Sequence, residues 1–68
     1  MNSLQNIVVT VREIYPSFGN ADALCDTGKK FLLNRNTKGI DFDLLKVGDR
    51  LSIYANARHF AERAQVLP

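Results

Sequence analysis

The chain contains 68 residues, with nine Lys or Arg, seven Asp or Glu and a single Cys, for a formal net charge of +2. That length predicts one domain over residues 1–68, and a lone cysteine excludes an intramolecular disulfide, so the core must come from aliphatic and aromatic side chains. Because no apolar run reaches the roughly 18 residues that cross a bilayer, and because Met1–Gln5 lacks the pattern of a signal peptide, we expect a cytoplasmic protein with no membrane partner.

The first half of the chain is predicted to form two strands. The first runs from Asn6 to Ile14, where β-branched and apolar residues recur at every second position. Pro16 ends it, since proline has no N–H to donate to a neighbouring strand. The second strand is predicted from Phe18 to Cys25, with Phe18, Asn20 and Asp22 on its outer face and small residues on its inner face.

A hairpin and a long loop follow. The turn Asp26-Thr27-Gly28-Lys29, with Gly28 at positive φ, leads into a third strand from Lys30 to Asn34 whose inward residues are Phe31 and Leu33. Residues 35–41 are polar and are predicted to form a loop, and residues 42–45 a short helical turn. Gly48-Asp49 then forms a turn before a fourth strand, in which Leu51, Ile53 and Ala55 face the core.

The last segment fits two structures. As a strand it would run from about Phe60 to Val66, with Phe60, Ala64 and Val66 inward. As a helix it would place one apolar stripe against the sheet, and the local propensities favour this form. That stripe consists of Ala57, Phe60, Ala61, Ala64 and Leu67.

The order of these elements and several short motifs resemble those of a cold-shock domain. Phe18-Gly19 resembles the start of that family's Phe-Gly-Phe motif, Leu45-Lys46-Val47-Gly48-Asp49 its entry to strand four, and Ala64-Gln65-Val66 its final strand. The resemblance covers nearly the whole chain and implies an all-β fold, a small five-stranded antiparallel OB-like barrel. It favours the strand near the C-terminus, whereas the alternative is a four-stranded β-sheet with a C-terminal helix.

The resemblance implies a protein that binds single-stranded RNA or DNA and has no enzymatic activity. Cold-shock domains stack bases on outward aromatic rings of strands two and three, and each stacked base contributes about 1–3 kcal/mol. At the matching positions this chain has Phe18 and Asn20 in strand two and Leu32 and Asn34 in strand three. Only Phe18 keeps a ring, so binding is expected to be weaker than in the family.

Basic side chains are the expected replacement for the missing rings. Between Asp26 and Asp41 the chain has no acidic residue, which predicts one locally positive surface. Binding through such cations is salt-sensitive and selects poorly between sequences. The candidate phosphate contacts are Arg12, Lys29, Lys30, Arg35 and Lys38. The rings that neighbouring segments would supply belong to Tyr15, His59 and Phe60.

A second hypothesis uses the same barrel as a protein–protein interaction module. Leu32, Phe18 and Val8 would then form an apolar patch where nucleic-acid binders carry aromatics, and the partner would be another protein or a second copy of the chain.

Residues that carry catalytic or metal chemistry are sparse. His59 is the single histidine, and nothing in the sequence pairs it with a nucleophile. Cys25 ends an apolar strand face and is expected to act as a small buried hydrophobe. Neither a zinc-spaced Cys/His set nor a phosphate-binding glycine motif is present, so the sequence predicts no enzyme, no cofactor and no metal.

Overall fold

A computed structural model describes residues 5–68, which form five strands and one short 3-10 helix. The start of the chain before Gln5, on which the expectation of no signal peptide rests, lies outside the described residues. Among residues 5–68 no helix is long and apolar enough to cross a membrane. The strands are β1 Gln5–Tyr15, β2 Asn20–Cys25, β3 Lys30–Asn34, β4 Arg50–Ala55 and β5 Ala61–Val66, and the 3-10 helix η1 is Phe42–Leu44.

The strands form one antiparallel sheet in the order β3-β2-β1-β4-β5, which curls until its two edge strands meet. At this seam the backbone N–H of Leu32 donates to the carbonyl of His59 at 2.8 Å. Further along, the N–H of Lys38 donates to Glu62 O and the N–H of Ala64 donates to Lys38 O. At the seam, the chain around residues 32–38 runs parallel to the chain around residues 60–63. The predicted small five-stranded OB-like barrel is confirmed.

The helical alternative for the C-terminal segment is wrong. Residues 61–66 pair with β4, with Ile53 opposite Ala64 and Leu51 opposite Val66. This pairing satisfies backbone groups that would otherwise remain at the edge of β4, and it closes the core beneath Ala61 and Ala64. Tertiary pairing therefore overrides a local preference for helix.

The core fills the barrel interior as the alternation predicts. Phe31 and Leu33 are buried on β3, as Leu51, Ile53 and Ala55 are on β4. Phe31 lies opposite Ala23, so the large ring occupies the space beside a small residue. The other buried apolar residues are Val9, Val11, Ala21, Ala23, Phe42, Leu45, Ala61 and Ala64.

The predicted inward residues of β5 are partly wrong. Phe60 is only half-buried and Val66 is exposed, whereas Ala61 is fully buried. Val66 keeps the register of Ala64, opposite the buried Leu51, and is exposed at the end of the strand. For Phe60 and Ala61 the cause is an irregularity in the pairing with β4, where Ala55 lies opposite Ala61 but Tyr54 lies opposite Arg63. The extra residue on β5 shifts the alternation by one position.

The segment from 35 to 41 is a loop, as predicted, but it is hydrogen-bonded to β5 and packs against it. Thr37 is buried; its hydroxyl donates to Ala61 O at 2.7 Å and accepts from the N–H of Asn34 at 3.2 Å. Gly39 has a φ of 94°, and a Cβ at this position would overlap Ala64 O. Glycine therefore allows the loop to lie directly against β5.

Candidate nucleic-acid interface

A small hollow opens on the outer face of the barrel near the ends of β1 and β3. It has a volume of about 170 Å³, and its outward walls are Tyr15, Asn20, Leu32, Asn34 and Phe60. Strand pairing explains why these residues meet, since Asn20 lies opposite both Tyr15 and Asn34. The seam bridge between Leu32 and Phe60 supplies the remaining wall. We call this cavity, with its five outward residues, the hollow.

The hollow brings together three of the predicted site residues, Asn20, Leu32 and Asn34. Leu32 is 48% exposed, as its outward position on β3 predicts. The hollow also contains Tyr15 and Phe60, two of the three rings that were expected to replace the missing aromatic residues. The third ring, that of His59, is instead stacked on the core residue Phe31 with 4.8 Å between ring centroids.

Phe18 lies next to the hollow but not in β2. The N–H groups of Phe18 and Gly19 both donate to Tyr15 O, at 3.1 and 2.9 Å, and this tight turn delays β2 until Asn20. Phe18 is 81% exposed and borders a shallow depression shared with Asn34 and Arg35. Its ring is free to contact a flat ligand, and it is not a core residue at the end of the barrel.

Two carboxylates lie beside the hollow. Asp22, on the outer face of β2, is opposite both Glu13 and Leu32 and is only 8% exposed. Glu13 Oε1 accepts a hydrogen bond from the hydroxyl of Tyr15 at 2.9 Å. That hydrogen bond raises the pKa of Tyr15 above its usual 10.0, and partial desolvation and the negative charges of Glu13 and Asp22 raise it further.

The outward position of Glu13 is the feature that sequence reasoning missed. Strict alternation from Val9 and Val11 would place Glu13 inward. The pairing of β1 with β2 shifts between Val11 and Glu13, leaving Arg12 as the extra residue, so Glu13 turns outward. A bulge of this kind has no clear signal in a single sequence.

The positive charge expected between Asp26 and Asp41 is partly offset, because carboxylates outside that window pair with two of its four cations. Lys30 Nζ lies 3.9 Å from Asp22 Oδ2, and Arg35 forms a 2.6 Å ion pair with Asp43. The guanidinium of Arg35 also lies 4.9 Å from the ring centroid of Phe42. Lys29 lies in the exposed β2–β3 turn.

The other two predicted cations, Arg12 and Lys38, do not line the hollow. Arg12 lies in a separate concavity with Val8, Thr10, Asp26 and Arg50. Lys38 is bridged to Arg63 on β5. Because Val8 belongs to the Arg12 concavity, the apolar patch predicted for a protein partner is reduced to Phe18 and Leu32.

Cys25 is the other reactive side chain that the sequence singled out. Cys25 packs against the core but is only half-buried, not fully buried as expected. Its Sγ lies 3.0 Å from Thr27 Oγ1, a hydrogen bond that lowers the pKa of the thiol. Within residues 5–68, no three His, Cys, Asp or Glu side chains lie close enough together to hold a metal ion.

The fold and this surface define a small OB-like barrel with an exposed ring and a hollow walled by rings and amides. Comparisons with protein-family models, with curated proteins and with solved structures found no match for this chain. The likeness to cold-shock domains therefore rests on the quoted motifs and on the strand order.

Proposed function

We propose that this chain binds single-stranded RNA or DNA through the hollow and Phe18, as a non-enzymatic, cold-shock-like chaperone or regulator in the cytoplasm. The observation that carries the proposal is the conjunction of an exposed ring with two neighbouring amides. Phe18 is 81% exposed, and Asn20 and Asn34 lie opposite each other in the wall of the adjoining hollow.

The chemistry of these groups matches that of an unpaired base. A base has two flat faces that stack on an aromatic ring, and each stacked base contributes about 1–3 kcal/mol. Carboxamides both donate and accept hydrogen bonds, as the edges of bases do. At about 170 Å³, the hollow is smaller than the roughly 300 Å³ of the smallest drug-sized pockets, and this size suits a single base.

The carboxylates of Glu13 and Asp22 determine how a strand would approach. A phosphate above Asp22 would meet negative charge, because Asp22 lies opposite Glu13 and its one salt bridge in the described part of the chain is the 3.9 Å contact with Lys30. The bases therefore point toward the hollow, and the phosphates stay on its outer side. This arrangement gives modest affinity that falls as salt rises.

Replacing Phe18 with Ser tests the proposal. Loss of one stacked base should weaken binding of a short mixed-sequence oligonucleotide about tenfold, as measured by fluorescence anisotropy at two salt concentrations. Val47→Ser is the matched control, since Val47 is also an exposed apolar residue, at 64%, but lies in the turn before β4. Equal affinities for the two variants, or no binding by the natural chain at low salt, would contradict the proposal.

The second candidate is a protein contact, in another protein or a second copy, at the same place. It is favoured by one observation: the exposed Leu32 lies opposite Asp22, which lies opposite Glu13 on the next strand. Acidic groups suit a basic protein surface better than a phosphate. Leu32→Asp should then abolish concentration-dependent dimerisation or partner capture that survives nuclease and high salt. A chain that stays monomeric and captures nothing would contradict this candidate.

A further inference from the structure

Another open groove, much larger than the hollow, lies on the outer face of β4 and β5. Its volume is about 700 Å³, and its walls include Asn6, Ser52, Tyr54, Arg63 and Gln65. Ser52 Oγ donates to Asn6 Oδ1 at 2.8 Å, which fixes one wall. Gly39 also borders the groove, where its backbone lies directly against β5. We call this feature the β4–β5 groove.

One cation, Arg63, lines the β4–β5 groove, and a second, Lys38, lies next to it in the chain pairing and precedes the lining residue Gly39. Lys38 and Arg63 are brought together by the parallel bridge between the loop and β5. Neither forms a salt bridge with any carboxylate in the described part of the chain, in contrast to Lys30 and Arg35. The carboxylate of the neighbouring Glu62 accepts a hydrogen bond from Asn56 at 3.1 Å. Lys38 and Arg63 therefore form a positive pair that an external anion would complement.

A ring stands next to this pair. Tyr54 lies directly opposite Arg63 in the pairing of β4 with β5 and is 43% exposed. An accessible ring beside a basic groove is the combination with which proteins hold single-stranded nucleic acid, since the cations follow the backbone and the ring stacks a base.

The β4–β5 groove and the hollow share no lining residue, but they lie a short distance apart along the chain. Phe60 forms one wall of the hollow, and Arg63 follows it three residues later, roughly 10 Å along an extended chain. The hollow holds one base, whereas OB-type barrels engage roughly 4–16 nucleotides. A bound strand must therefore leave the hollow, and the acidic pair of Glu13 and Asp22 disfavours the path over β1 and β2.

We propose that a single strand bound in the hollow continues over the seam into the β4–β5 groove, where Lys38 and Arg63 bind its phosphates and Tyr54 stacks a base. This inference rests on the proposed function, and it assigns the main electrostatic contact to a face that carries only one of the predicted site residues, Lys38.

The test compares two probes on one double variant, Lys38→Gln with Arg63→Gln. A long probe of about 12 nucleotides spans the hollow and the groove, and a short probe of about 3 nucleotides reaches only the hollow. The double variant should bind the short probe as the natural chain does. Its affinity for the long probe should fall at least tenfold, and its slope of log affinity against log salt should be shallower by about 1.4, or roughly 0.7 for each lost phosphate contact.

The control is the double variant Lys46→Gln with Arg58→Gln, which removes the same charge from exposed positions that line neither the groove nor the hollow. Tyr54→Ser should separately weaken binding of the long probe about tenfold. Backbone amide shifts of the natural chain provide a readout that needs no variant, and with the long probe they should include Tyr54, Arg63 and Gln65.

The outcomes separate the two proposals. Loss of long-probe affinity with unchanged short-probe binding supports the groove. If Phe18→Ser weakens binding of both probes but the Lys38/Arg63 double variant matches its control in affinity and salt slope, the groove is refuted and the hollow stands. If the double variant loses the long probe while Phe18→Ser changes nothing, the groove is a binding site but does not continue one that starts at Phe18, which refutes the continuation. Absence of binding to either probe at low salt refutes both proposals.

Discussion

Tyr15 links the wall of the hollow to its acidic border, because its ring lines the cavity while its hydroxyl donates to Glu13. Whether this contact exists is measurable from the titration of the ring. The ionised phenolate would face two carboxylates and lose its donor role, so the protonated form is favoured in the folded chain.

The pKa of Tyr15 should therefore lie above 10.0 and move back toward 10.0 in Glu13→Gln. Tyrosinate absorbance followed against pH measures this in a Tyr54→Phe background, since the chain has two tyrosines. Because the folded-state pKa is raised, the associated stabilisation is present below pH 10 and is lost as the pH rises through the folded pKa. An unchanged midpoint in Glu13→Gln would contradict the hydrogen bond.

For individual residues, the sequence predicted some surface positions correctly and missed others. Leu32 and Asn34 follow from alternation, because β3 is short and regular. Phe18 and Glu13 do not, because a tight turn displaces the former from its strand and a bulge turns the latter outward. Both departures depend on how β1 and β2 pair, which local patterns do not specify.

At the scale of elements, the loop from 35 to 41 is the piece whose role the sequence understated. Its polar composition predicted a solvent-exposed connecting loop. Instead, Thr37 and Gly39 hold it against β5, next to the seam where β3 and β5 meet. From the sequence alone, a buried threonine in a polar stretch cannot be distinguished from a solvent-exposed one. Its burial depends on the carbonyl of Ala61, 24 residues away, and is visible only in the folded chain.

Gly39→Ala should destabilise the barrel more than the same change at another glycine of positive φ. Gly28, with a φ of 89°, is the matched control, because a Cβ there would meet nothing within 4 Å. Gly28→Ala should lower the free energy of unfolding by about 1–2 kcal/mol from backbone strain alone. Gly39→Ala adds an overlap with Ala64 O and should cost about 3 kcal/mol or more.

Urea unfolding of the three proteins measures these differences. For a chain of this size, each 1 kcal/mol corresponds to a shift in Tm of about 4–8 °C, so thermal melting gives a second readout. Equal losses for the two variants would mean that the loop does not lie against β5 as described.

At the scale of the whole molecule, the first four strands and most of the core were predictable because the apolar residues alternate with period two through most strands. The closed five-stranded arrangement was expected only from the resemblance to cold-shock domains. The C-terminal segment was not settled by its own composition, since it becomes a strand only by pairing with β4 and closing the barrel against β3. The charge distribution was also not predictable from linear windows. Folding brings Asp22 and Asp43 to cations that are isolated from acids along the chain.

The proposed function requires that one outer face, from Phe18 through the hollow, bind single-stranded nucleic acid. A proton–nitrogen spectrum of the natural chain, titrated with a mixed-sequence oligonucleotide at low salt, tests it most directly. We predict shifts in the backbone amides of Phe18 and Leu32 and in the side-chain amides of Asn20 and Asn34, with little change in the turn at Val47. A spectrum that does not change, or shifts confined to residues outside this face, would contradict the account.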